Sequence, residues 1–250
     1  MKIGIICAMQ EEIELLSQDI QTENSVTIAG RTFLEGRLYG KPVVLVRSRI
    51  GKVAAASTAT TLIDRFHPDC VIFCGTAGGI GKGLHTGDIV VADRLIQHDV
   101  DTGTGNGFKI PQLDMDYFPT DPALSERLIS AVKQYIQNGF THDIPAQYLE
   151  EFGISAPKAV VGTIASGDQF ICSKEKNQWL AEQIENLQCV EMEGAAVSQV
   201  CYEFGVPHAV IRVISDGADD ASSVNFDSFI EHAACHFTRG GIKAFLESEQ

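Results

Sequence analysis

At 250 residues and 44% hydrophobic composition the chain can bury a full core, and with no internal repeat, low-complexity tract or linker, residues 1–250 are expected to form one domain. Nineteen basic against thirty-three acidic residues leave a formal charge of −14, which disfavours nucleic acid and anionic membrane surfaces as partners. The amino terminus turns acidic at Glu11 and Glu12, unlike a secretory signal, and no apolar stretch approaches the roughly 20 residues that span a bilayer, so a cytoplasmic protein is expected.

The chain opens as strand then helix: residues 2–8 are apolar and β-branched, and within 11–19 Ile13, Leu15 and Leu16 recur at helical spacing. Residues 25–29 and 31–38, divided by Gly30, predict a hairpin, and 42–47 a buried strand. Residues 51–66, rich in Ala and Thr, predict a helix packed on the sheet and ended at His67-Pro68. A strand over 70–74 stops at Gly75-Thr-Ala-Gly-Gly79, and 88–96 is another. Residues 98–121 contain Gly, Pro and aromatics and read as a long loop that covers something. A helix over 122–137 follows, 138–155 has no assignable pattern, and a strand over 159–166 runs into Ser166-Gly-Asp-Gln-Phe-Ile171. Ser173 suits the cap of a helix over 173–184. Then come a short strand at 189–190, a helix over 195–204, a buried strand over 208–214 and one long helix over 226–246.

The seven cysteines are odd in number, and five of them (Cys7, Cys70, Cys74, Cys172 and Cys189) lie in or beside apolar runs, as reduced small hydrophobes do. His232 and His236 stand one helical turn apart with Cys235 adjacent, but they lack a third ligand and read as ordinary helix-face histidines. No metal is expected.

Chemistry concentrates in two places. Val190-Glu-Met-Glu-Gly-Ala-Ala196 sets Glu191 and Glu193 between an apolar run and a small-residue helix. Ionised carboxylates only accept hydrogen bonds, so the pair suits the neighbouring hydroxyls of a ribose; the plain alternative is acids stabilised at a helix N-terminus. The strand over 208–214 delivers Ser215-Asp216-Gly217 at its carboxyl end, where α/β sheets place ligands, though the tripeptide is also a common turn.

Five motifs stand in order: Ile3-Gly-Ile-Ile-Cys-Ala-Met-Gln-Glu-Glu12, Ile50-Gly-Lys-Val-Ala-Ala55, Gly75-Thr-Ala-Gly-Gly79, Ser166-Gly-Asp-Gln-Phe-Ile171 with Val190-Glu-Met-Glu193, and Arg212-Val-Ile-Ser-Asp216. Together they resemble the 5'-methylthioadenosine/S-adenosylhomocysteine nucleosidases, a branch of the nucleoside phosphorylase and nucleosidase superfamily. The resemblance runs from Met1 to about Phe229 and is weakest between Thr102 and Lys158. It implies a single three-layer α/β/α domain around a mixed twisted sheet, and an enzyme that hydrolyses the N-glycosidic bond of 5'-substituted adenine nucleosides without a cofactor.

Residue by residue, the resemblance implies that Glu12 orients and deprotonates the attacking water, while Asp216, with Ser215 beside it, protonates N7 of adenine. Glu193 and the Met192 backbone would hold the ribose hydroxyls with Glu191 close by; Phe170 would stack on the purine, and the Ile171 main chain would read its Watson–Crick edge. Met9, Ile50, Thr76 and Gly78 would line the pocket, and Arg212 would help order Glu12 and the water. The family forms homodimers in which the loop after His98-Asp99 completes the neighbour's pocket, which makes Phe108, Ile110 and Pro111 candidates for that contact. This loop departs from the family pattern at 102–107 and 114–119, which leaves the 5' group open among methylthioadenosine, adenosylhomocysteine, 5'-deoxyadenosine and aminodeoxyfutalosine.

The chemistry asks for such residues independently. Cleaving a ribosyl–purine bond passes through an oxocarbenium-like state, which calls for an acid at the leaving base and a carboxylate at the nucleophile. Two alternatives remain. A phosphorylase of the same fold would use phosphate, but Phe73 stands where related phosphorylases carry an arginine, leaving Arg47 and Arg49 as the cations, and Glu12 would repel the anion. A catalytically silent nucleoside-binding protein would need neither Glu12 nor Asp216.

Overall fold

Ile3, Ile5 and Cys7 point into one apolar cluster while Ile6 points into a second on the opposite face; Val43 and Leu45, against Val44 and Val46, repeat the pattern. This two-residue period with both sides buried belongs to strands sandwiched between helices. The computed structural model describes residues 1–103, 105, 107–218 and 222–248; Thr104 and Asn106 of the divergent loop lie outside the described residues.

Element order is β1 (Ile3–Cys7), α1 (Gln10–Asp19), β2 (Gln21–Ile28), β3 (Arg31–Leu38), β4 (Lys41–Arg47), α2 (Lys52–Phe66), β5 (Cys70–Gly79), β6 (Ile89–Gln97), β7 (Tyr117–Pro119), α3 (Pro122–Asn138), α4 (Phe140–Asp143), α5 (Ala146–Glu151), β8 (Ala159–Ser166), α6 (Lys174–Gln183), β9 (Leu187–Glu191), α7 (Gly194–Phe204), β10 (His208–Asp216), α8 (Ser222–His232) and α9 (Ala234–Glu247). Helices α1, α3 and α9 cover one face of the mixed sheet, and α2 and α7 cover the other. The expected α/β class with helices on both sides is what the chain adopts. Among the described residues, no helix is long and apolar enough to cross a membrane.

The sheet is more closed than the sequence implies. Strand β5 pairs in parallel with β1 and β10, and its last residues Gly78 and Gly79 pair antiparallel with Val190 and Cys189 of β9. Because β10 pairs with β6, β6 with β8 and β8 with β9, five strands close a circuit, while β1, β4, β3 and β2 extend as an open wing. Strand β5 therefore continues to Gly79, where the sequence suggested a stop at Cys74, and β10 reaches Asp216 through a register irregularity after Ile214.

Three other segments differ from expectation. The loop over 98–121 contains β7, which pairs with β6, and an Ile110–Met115 bridge. Residues 138–155 form α4 and α5, and Phe140, Ile144 and Ile154 enter the core. The single long helix over 226–246 is two helices divided at Ala233 (φ −125°, ψ −31°), while Gly240 and Gly241 continue inside α9. Gly240 is there for closeness: a Cβ would stand 2.1 Å from the Tyr135 ring of α3.

Replacing Gly240 with Ala gains about 1 kcal/mol of helix propensity but forces the ring aside, at an overpacking cost of about 1–3 kcal/mol. The variant should unfold at lower urea, and adding Tyr135→Leu should return part of the loss. An unchanged midpoint in the single variant would contradict this packing.

Candidate active site

The carboxyl ends of β1, β5, β8, β9 and β10 converge on one cavity. Glu12, the third residue of α1, turns back over the helix start. Its Oε2 accepts the Ala8 and Met9 N–H groups at 3.0 Å each, and its Oε1 accepts the Thr76 N–H at 2.9 Å and the Thr76 hydroxyl at 3.0 Å. The reach-back to Met9 is half of a capping box, and the helix dipole favours the charge there. Gly75 makes the approach possible, since a Cβ would sit 2.7 Å from the Glu12 carboxylate. Burial raises the Glu12 pKa; the charge of Arg212 and the bonds from Met9 and Thr76 oppose this without cancelling it.

Asp216 ends β10 opposite Gly78 of β5. Its Oδ2 accepts the Ser215 hydroxyl at 2.7 Å and its Oδ1 the Ala218 N–H at 2.8 Å, so the carboxyl plane is held from both sides. Thr76, which holds Glu12, and Gly78 lie two residues apart on β5. They share a face at about 7 Å of strand rise. The register of one strand thus sets the two acids before a common space.

Glu191 and Glu193 are not equivalent grips. Glu191 accepts the N–H groups of Glu193 (3.0 Å) and Gly194 (2.8 Å) at the start of α7, the Ser166 hydroxyl, and Arg212 Nη2 at 2.6 Å. It lines the cavity, and its oxygens are also bound by the first N–H groups of α7 and by Arg212, which leaves Glu193 the less committed of the two acids. Among the described residues, Glu193 accepts only the Gly51 N–H, at 2.7 Å. Burial and the neighbouring Glu191 charge push its pKa up to about 8, against the Gly51 bond and Arg212.

Arg212 is 1% exposed, with its guanidinium 4.1 Å above the Phe73 ring. Its other described hydrogen bond goes from Nη1 to the Ile211 carbonyl at 3.1 Å. It meets Glu12 as a charge and Glu191 as a hydrogen-bonded partner. Burial would lower its pKa, but Glu191 and then Glu12 and Glu193 reverse that and hold it above the ordinary arginine value.

The cavity wall brings together Met9, Glu12, Ile50, Thr76, Gly78, Phe170, Ile171, Glu191, Met192, Glu193 and Asp216, while Arg212 and Ser215 stand behind it. Phe170 is 45% exposed and forms a T-shaped pair with Phe226 at 5.5 Å between centroids. Ile171 is buried, and Ile50 is exposed at the mouth. Sequence reasoning missed Ala8, Ala77, Gln169, Val190 and Phe226. Ala8, Ala77 and Val190 follow from the rule that sites lie at strand carboxyl ends, and Gln169 sits inside a quoted motif; Phe226 carries no local signal, since its spacing reads as core. Of the three loop candidates, Phe108 packs edge-on against Trp179, Ile110 is buried, and only Pro111 is exposed.

Two buried carboxyls held differently before one face of a strand, with a third acid and a partly exposed aromatic ring, form a site for acid and base work on a ligand with a flat ring and hydroxyls. A model of the phosphorylase superfamily matches residues 2–247, and the chain belongs to that superfamily. It is 41% identical over 238 residues to the 5'-methylthioadenosine/S-adenosylhomocysteine nucleosidase of Shewanella sp. (strain MR-7), covering 94% of this chain and 92% of the relative. The Neisseria meningitidis 5'-methylthioadenosine/S-adenosylhomocysteine nucleosidase, solved with methylthio-immucillin-A, superposes with a TM-score of 0.86 at 33% identity over 99% of both chains. The futalosine hydrolase of Helicobacter pylori strain 26695 superposes at 0.82 with 33% identity, over 98% of this chain and 97% of that one. Within the superfamily the chain belongs with the 5'-methylthioadenosine/S-adenosylhomocysteine nucleosidases.

Replacing Arg212 with Met should cost about 3–5 kcal/mol of stability, because it strands buried carboxylates without a counter-charge. Denaturant unfolding of Arg212→Met, Glu191→Gln and the double variant checks this, and the double should lose less than the sum of the singles. Strict additivity would show that the pair is not coupled.

Proposed function

We propose that the protein hydrolyses the N-glycosidic bond of 5'-substituted adenine nucleosides, methylthioadenosine and S-adenosylhomocysteine among them, and releases adenine. The reading rests above all on Glu12 and Asp216 lining one cavity, the first held by Thr76 and the second opposite Gly78 of the same strand β5. The purine lies on Phe170 with its edge along the Ile171 main chain, and Asp216 gives its proton to N7 as the bond to the anomeric carbon breaks. Positive charge then builds on the ribosyl ring, and Glu12 takes a proton from the water that attacks it. Glu193 and the Met192 backbone hold the ribose hydroxyls. Two O–H donors favour the ionised form of Glu193, against the burial and the Glu191 charge that raise its pKa. Arg212 acts through Glu191 and through its charge on Glu12.

Hydrolysis of these nucleosides gives the enzyme a place in methionine salvage. Its seven free thiols, six of them buried, support a cytoplasmic location. We propose a homodimer, supported by the exposed apolar side chains Ile50, Val53, Tyr202 and Phe204 at the start of α2 and the end of α7. Tyr202→Glu with Phe204→Glu should yield a monomer by light scattering and raise KM; unchanged kinetics in a proven monomer would remove the partner from the pocket.

The deciding assay incubates the protein with methylthioadenosine in phosphate-free buffer and follows free adenine. Release without phosphate is expected; release only with phosphate would establish a phosphorylase, and none at all a silent binder. Asp216→Asn should reduce kcat at least about a hundredfold with KM little changed, and Glu12→Gln should behave alike. For the native enzyme, kcat/KM should rise with pH as Glu12 ionises, because the protonated form cannot accept the water's proton. Since burial lifts the Glu12 pKa, that limb should lie above the ordinary glutamate range. A pH profile flat through and above that range would refute the assignment of the base.

A further inference from the structure

Three segments far apart in the chain meet beside the cavity in a closed ring of hydrogen bonds. Just beyond β6, Asp99 accepts Lys52 Nζ at 2.5 Å through Oδ1 and the Asp168 N–H at 2.9 Å through Oδ2. Asp168 in turn accepts the Lys52 N–H at 2.8 Å through its own Oδ1, which returns the ring to the start of α2. Lys52 Nζ also donates to Gln97 at 3.1 Å, and Gln97 to Gln199 of α7 at 2.7 Å, so the ring is fastened to the sheet and to a helix of the other layer.

The ring joins the two halves of the cavity. One residue before Lys52, Gly51 gives its N–H to Glu193 at 2.7 Å; two residues after Asp168 comes Phe170, and then Ile171. The loop that carries these two is also tied to the sheet, since the Gly167 N–H goes to the Glu191 carbonyl at 3.1 Å. The His98 ring lies so close to Gly167 that a Cβ there would come within 2.4 Å of it. The side chains of Lys52 and Asp99 are 17% and 15% exposed, where the attraction of opposite charges is screened less than at a surface. Burial by itself would raise the Asp99 pKa, but the bonds from Lys52 and from the Asp168 N–H hold it below the ordinary aspartate range, so the carboxylate is ionised at neutral pH. None of these contacts needs an open surface, and a second chain covering Ile50 and Val53 would dry the ring further.

We propose that Asp99 and Lys52 are positioning residues for the reaction, holding the base-side loop at Phe170 and Ile171 at a fixed separation from the ribose-side Glu193. This role rests on reading the cavity as a nucleoside site. A nucleoside is a base and a sugar joined, and it outbinds the base alone only while the two halves of the site stand at matching separation. The intact ring sets that separation in the empty protein, so binding does not bear the cost of ordering it. Removing either charge opens the ring. Each half then stays attached by its own bonds, the loop through Gly167 and the helix start through the Ala55 N–H on the Gly51 carbonyl, but the two can drift relative to one another.

The test measures Kd by calorimetry for 7-deazaadenine and for 5'-methylthiotubercidin, its nucleoside, on the native protein and on Asp99→Asn, Lys52→Met and the double variant. Both ligands carry carbon in place of N7, accept no proton there from Asp216 and are not cleaved. Each single substitution should weaken the nucleoside about tenfold and the base less than about twofold. Unfolded protein lowers the stoichiometry and leaves Kd alone, so a loss confined to stability moves neither value. Because a ring opens only once, the double variant should bind the nucleoside within about twofold of the weaker single variant. Equal losses for base and nucleoside, Kd values unmoved by either substitution, or losses that multiply in the double variant would overturn the positioning role. Failure to release adenine from methylthioadenosine would overturn the nucleosidase reading and leave this comparison standing, since it asks only for binding; a native protein that binds neither ligand would overturn both.

Discussion

One buried guanidinium carries the electrostatics of this site. Glu12, Glu191 and Glu193 are 3%, 8% and 6% exposed, and Arg212 is the cation buried among them. Three acids in so dry a space disfavour one another's ionisation, and a single counter-charge cannot satisfy all of them. The donors decide how they differ. Glu191 takes Arg212, two backbone N–H groups and a serine hydroxyl; Glu12 takes three backbone N–H groups and a threonine hydroxyl; Glu193 takes one N–H. The acid with the fewest donors has its pKa lifted to about 8 and faces the cavity, where ligand hydroxyls can complete its shell.

Strand β5 supplies the geometry that this electrostatic arrangement needs. It touches β1, β10 and β9, so elements far apart in the chain bring their ends to one place. Cys74, Gly75, Thr76 and Gly78 keep its edge narrow: Gly75 admits the Glu12 carboxylate, Thr76 binds it, and Gly78 stands beside Asp216. The closed circuit of five strands brings these ends together, whereas β1, β4, β3 and β2 extend beyond it as an open wing.

Much of this was legible in the residues. Continuous apolar runs in 2–8 and 42–47 marked buried strands, Asp216 stood at the carboxyl end of another, where α/β sheets expose functional groups, and Glu12 was indicated by the resemblance of the motif it stands in. The division of labour between Glu191 and Glu193 was not legible, because two acids flanking one residue look alike until it is known which one the first N–H groups of α7 claim. The break between α8 and α9 was hidden for a related reason: Gly240 reads as a helix breaker, yet it is kept inside α9 by the Tyr135 ring against it. Phe226 reads as core by spacing and stands at the cavity because α8 turns away from α9 at Ala233.

The sequence by itself determined the strand and helix alternation and the buried character of the strands, since these follow from hydrophobic pattern and residue chemistry along short stretches. Tertiary structure alone decided the closure of the sheet, the pairing of Arg212 with Glu191 and the raised pKa of Glu193. Those depend on desolvation and on contacts between residues more than a hundred positions apart, such as Gly51 with Glu193, and local pattern carries no record of which distant groups will share one dry space.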